Sequence, residues 1–187
     1  MTIGTTDIFL LVIIVSTLVV GFFWGAMRSL MLLAGWIIAF LAGAYLQTDL
    51  GAYLARQWAN FDALFNQMAA FALIYIAILV AAPVVIFMVT RSSQRVTRWQ
   101  VLDDLVGALF AVFVAVLGIA GVMIILATYY GDGQPVVEVA GGPQWTANLY
   151  QSLLLSTIGN NIWENVVPIV GFIFGPILPA SVNEAFA

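Results

Sequence analysis

The stretch 7–46 constrains this chain more than any other. It joins an apolar run over 8–24, a knot of small residues around one charge (Gly21, Gly25, Arg28) and a second apolar run over 30–46. One straight helix of that length would reach roughly 60 Å at about 1.5 Å per residue, whereas the hydrocarbon core of a bilayer is about 30 Å thick. The stretch therefore has to fold back as a helical hairpin. Composition agrees, since 64% of the 187 residues are hydrophobic and 7% charged, against about 25% charged in soluble domains. This is the composition of an integral membrane protein. No basic residue precedes the first run, so a retained span is expected there rather than a signal peptide.

Two further apolar runs follow, one over 68–90 containing Pro83 and one over 105–130. The expected fold class is an all-α integral membrane protein with four transmembrane helices in two hairpins, at about 8–27, 29–46, 68–90 and 105–130, forming a membrane domain over 1–130. Between the second and third spans, Leu50, Tyr53, Leu54, Trp58, Phe61, Leu64 and Phe65 recur at spacings of three and four. That pattern predicts an interfacial amphipathic helix at about 49–66, lying in the headgroup plane. The remaining tail, 131–187, opens with turn residues and is expected to hold short amphipathic helices. One carries Tyr150, Leu153, Leu154 and Ile158 and is expected to stop near Gly159-Asn160-Asn161, and 136–139 reads as a short extended piece. The run 166–178 is broken by Pro168, Gly171, Gly175 and Pro176. It is expected to lie on the membrane or on a neighbouring subunit.

Charge sets the expected orientation. All five basic residues are arginines, and Arg28, Arg91, Arg95 and Arg98 fall in the two turns on one side of a four-span bundle, leaving Arg56 on the other. The positive-inside rule makes these four the topology determinants, placing the two turns in the cytoplasm and both termini on the outer side of the membrane. Trp24, Trp58, Trp99, Tyr129 and Tyr130 stand where interfacial anchors belong. Small residues mark the expected helix-packing faces: Gly21 and Gly25 in the first span, Gly35, Ala39 and Gly43 in the second, Gly107, Gly118 and Gly121 in the fourth. Asp103 and Asp104 open the fourth helix, where an N-cap role is the default and pairing with Arg95 or Arg98 the alternative. Thr5, Thr6 and Asp7 are N-cap candidates for the first helix, and Ser16 and Thr17 are expected to bond back to their own helix.

The chain contains no cysteine and no histidine. Disulfides, thiolate or imidazole metal sites and iron–sulfur clusters are therefore excluded on this chain, and no catalytic, metal or cofactor site is expected. A net charge of −4 with scattered arginines gives no basic face for nucleic acid. Expected partners are membrane lipids and other membrane-protein subunits, or further copies of the chain.

Asp7, Gly21, Gly25, Arg28, Gly35-Trp36 and, later, Leu102-Asp103-Asp104-Leu105-Val106-Gly107-Ala108 resemble the colicin V production protein family over roughly the first 130 residues. The family's fourth span often continues with a glycine and a basic residue, where this chain has Phe110-Ala111-Val112-Phe113-Val114. The resemblance implies a small multi-span bacterial inner-membrane protein with a role in toxin production or export and in envelope maintenance, and it implies no enzymatic mechanism. Three readings follow: a non-catalytic scaffold of this type, an accessory subunit of an energy-converting or secretion complex, and an oligomeric channel.

Overall fold

The computed structural model describes residues 4–58, 60–90, 100–131 and 143–183. Among them the regular elements are α1 (Thr5–Gln57), α2 (Ala63–Thr90), α3 (Gln100–Tyr130), α4 (Gln144–Leu155), α5 (Thr157–Asn165), α6 (Val167–Phe174) and α7 (Ala180–Asn183). α1, α2 and α3 are each long and apolar enough to cross a membrane. In hydrocarbon a backbone must satisfy its own polar groups, and the helix does so within one segment.

α1 has 53 residues, about 80 Å if it were straight. It is broken at Gly25, whose φ of 77° and ψ of 173° lie in a region essentially reserved for glycine. The break separates a first arm (5–24) from a second arm (26–57). Ile13, Thr17 and Val20 of the first arm and Leu32 of the second line one cavity, so the chain turns back on itself at Gly25. α2 and α3 both pack chiefly on α1 and touch each other far less. The core gathers at this junction, where Trp36, Phe40, Phe71, Tyr75, Met123 and Ile124 are fully buried.

Two expectations are corrected here. The helix expected at 49–66 is not a separate element, because 49–57 continue α1 and 63–66 begin α2. Gly51 backs onto Gln67 and Leu54 and Phe65 are buried within the chain, whereas Tyr53, Trp58, Phe61 and Leu64 stay exposed. The helix carrying Tyr150 ends at Ser156 rather than at 159–161, which lie inside α5. Ser156 is extended (φ −71°, ψ 138°), and its hydroxyl accepts from the Gly159 amide at 3.0 Å, so a serine cap stops one helix and starts the next. One face of α6 packs on the chain's own bundle, with the Phe174 ring 6.0 Å from Trp36 and 6.1 Å from Phe40 in edge-on contacts, while Ile169, Phe172 and Ile173 are exposed on the other. The extended piece expected at 136–139 lies outside the described residues.

Candidate functional site

At the Gly25 end, three helix termini meet. Breaking α1 leaves the first amides of its second arm without intrahelical acceptors. Asp103 of α3 supplies one, accepting from the Ala26 amide at 3.2 Å. Its carboxylate thus serves the positive end of a neighbouring helix as well as standing in the first turn of its own. Arg28 does the converse: its Nη2 donates to the Thr90 carbonyl at 3.1 Å, at the negative end of α2. Glycine makes this convergence possible. A Cβ on Gly107 would lie 2.6 Å from the Gly21 carbonyl oxygen and 2.8 Å from the Gly25 Cα. Ser29 is fully buried, and its hydroxyl has no partner among the described residues.

Midway along the bundle, Trp36 Nε1 donates to the Tyr75 hydroxyl at 2.8 Å, and that hydroxyl donates to the Gly118 carbonyl at 3.1 Å. One polar chain thus ties α1, α2 and α3 together in an apolar environment. Trp36 stacks on Phe40 with centroids 5.4 Å apart. Two apolar cavities lie along the seam between α2 and α3, of about 360 Å³ towards the tail and about 450 Å³ towards Gly25. They share Val122, and Tyr75 lines the first while Gly118 lines the second.

At the tail end, Asp7 is buried and accepts from the Ser156 hydroxyl (2.7 Å), the Ile158 amide (2.9 Å) and the Gly4 amide (3.0 Å). Asp7 thus pins the start of α1 to the start of α5. Gln47 Nε2 donates to Ser181 Oγ at 3.2 Å, the Tyr45 hydroxyl donates to the Ile177 carbonyl, and the Tyr150 hydroxyl donates to the Gly131 carbonyl at 2.7 Å.

The residues expected from sequence scatter over these places. Gly21, Gly25 and Gly107 meet at the crossing, Gly43 lies on the Phe71 ring, Gly35 faces Ala82 and Gly121 lies against the Tyr75 hydroxyl. Ala39 is fully buried. Gly118 stands apart, because a Cβ there would meet nothing within 4 Å. Arg28 is in the first turn of the second arm rather than between spans, since the reversal falls at Gly25. Trp24 and Trp58 line the two cavities, while Tyr129 donates to Asp62 at 3.2 Å and Tyr130 pairs with Thr146. Arg91, Arg95, Arg98 and Trp99 lie outside the described residues. The Thr17 hydroxyl bonds to the Ile13 carbonyl at 2.7 Å. The Trp36–Tyr75–Gly118 chain and the bond from Ser156 to Asp7 were missed, because partners 39 to 149 residues apart leave no local signal. Among the described residues, no three acidic side chains gather as a metal site.

Fold and site together define a multi-pass helical membrane protein whose polar side chains tie helix to helix. A family model described as Colicin V production protein matches residues 6–162, and the chain belongs to that family. No curated protein and no solved structure matches the chain.

Proposed function

We propose that this chain is a non-catalytic scaffold of the bacterial inner membrane, crossing it four times and acting in toxin production or envelope maintenance through protein and lipid contacts. The two arms of α1 each cross once, and α2 and α3 complete the count. The observation that carries the reading is the use made of polar groups in the long helices. Asp103 and Arg28 serve helix termini, Thr17 and Thr90 bond back to their own turns, and Trp36 and Tyr75 bond to each other and to Gly118. These groups hold helices in place. A conducting path would need such groups to face water, which disfavours the channel reading.

Extraction in mild detergent, with the native mass measured and co-extracted proteins identified, tests the proposal. A small homo-oligomer without stoichiometric partners is expected. A large complex of fixed stoichiometry replaces the scaffold reading with that of an accessory subunit, and steady conductance in a reconstituted bilayer replaces it with the channel. Orientation is read with single cysteines, since the native chain has none. Labels at positions 95 and 160 are expected to react from opposite sides, 95 from the cytoplasm, and labelling of both from one side contradicts the four-span arrangement.

A further inference from the structure

α5 and α6 follow one another in the tail and differ in kind. α5 is amphipathic, with Gly159 and Ile162 buried and Asn160, Asn161 and Glu164 exposed. Such a helix suits the headgroup plane. α6 is built from valine, proline, isoleucine, glycine and phenylalanine alone and has no polar side chain on any face. Val167 and Val170 are buried and Phe174 packs on Trp36 and Phe40, yet Ile169, Phe172 and Ile173 are exposed, Phe172 to 87%. A helix apolar all round belongs in a protein core or in hydrocarbon, and one side of α6 has no protein over it among the described residues.

Contacts with α1 give the depth of α6. Along the second arm, Trp36 and Phe40 stand about 16 and 22 Å from the break at Gly25, so Phe174 lies well inside a hydrocarbon core about 30 Å thick. The segments on either side of it lie shallower. Before α6, Ser156 and Ile158 donate to Asp7, about 27 Å from Gly25 along the first arm. After it, the Ile177 carbonyl and Ser181 Oγ accept from Tyr45 and Gln47, about 30 and 33 Å from Gly25 along the second. The chain thus descends to Phe174 and comes back. Backbone at that depth must satisfy its own polar groups. The turn does so: the Gly175 amide donates to the Gly171 carbonyl at 2.7 Å, those of Ile177 and Leu178 donate to the Phe174 carbonyl at 2.8 and 3.0 Å, and Pro176 and Pro179 have no amide hydrogen.

We infer that 167–178 form a re-entrant segment in the leaflet farther from Gly25, with the exposed face of α6 in contact with lipid acyl chains. A protein partner at this depth would be met by small residues that let backbones approach. Here Gly175 is buried against Asn183, and the outward residues Ile169, Phe172, Ile173 and Ile177 are all large. The inference rests on the membrane-spanning reading and adds a lipid-contacting segment to it.

The test places a bimane fluorophore on the full chain as Val80→Cys, Asn160→Cys or Phe172→Cys, three exposed positions in a chain without native cysteine. Vesicles of phosphatidylethanolamine and phosphatidylglycerol are prepared with and without a phosphatidylcholine brominated in mid-acyl chain, and iodide is added on both sides. Brominated lipid is expected to remove as large a fraction of the emission at 172 as at 80, and iodide is expected to quench 160 alone. Ile173→Cys, on the same exposed face, gives the reading if Phe172→Cys unfolds early. Iodide quenching at 172 puts α6 at the water interface, and quenching there by neither agent puts a second copy or another protein over it. Either result overturns the inference, while lipid quenching at 80 leaves the membrane-spanning reading intact. Absence of lipid quenching at 80 overturns both.

Discussion

Gly107 and Gly118 sit on the same helix, about three turns apart, and do opposite things. Gly107 lets α3 touch the backbone of α1 at Gly21 and Gly25, while a Cβ on Gly118 would meet nothing within 4 Å among the described residues. The first closes a contact and the second keeps one open. A small residue in a membrane helix thus signals close approach only where a partner backbone actually arrives. At the Gly25 end the partner is held by Asp103 and Arg28 on helix termini, so the crossing is tight. Along the seam, α2 and α3 are each fastened to α1 and have no need to close on each other.

Gly107→Leu is the harshest way to break this contrast. The obstructing atoms are backbone, and about 3 kcal/mol or more of stability is expected to be lost, seen as collapsed yield or early thermal unfolding in detergent. Native stability in that variant would refute the crossing. Gly43→Leu presses on the Phe71 ring, which stands 2.7 Å from the new Cβ at one carbon. A ring can shift, so a loss of about 1–3 kcal/mol is expected in the same assay. Tyr75→Phe strands the buried Trp36 Nε1 and frees the Gly118 carbonyl; a cost near 1 kcal/mol is expected. If the hydrogen bond carries that cost, pairing the change with Trp36→Phe reduces it, whereas simple additivity of the two changes would speak against coupling.

Gly118→Ala sharpens the comparison from the other side. The new methyl meets open space, and removing a helical glycine limits the freedom of the unfolded chain, so stability is expected to stay level or rise by up to about 1 kcal/mol. A marked loss would mean that the seam is closed.

Much of the architecture was legible because membrane helices are dictated by length and apolarity alone. The hairpin in 7–46 follows from comparing a chain length with a bilayer thickness, but its turn was expected at Arg28 and falls at Gly25. The boundary at Ser156 and the continuation of α1 to Gln57 were not legible. An amphipathic pattern does not say whether its apolar face meets headgroups or the chain's own helices.

The sequence by itself determined an all-helical membrane chain, the reversal between two apolar runs and the absence of thiol and imidazole chemistry, since these depend on composition and on local backbone rules. Tertiary structure alone decided which glycines close contacts and which leave space. It also decided that Asp103 serves α1 as well as α3, that Asp7 holds α5, and that α6 returns to Trp36 and Phe40. Those pairings join residues far apart in the chain, and an interaction between them exists only once packing has brought them together.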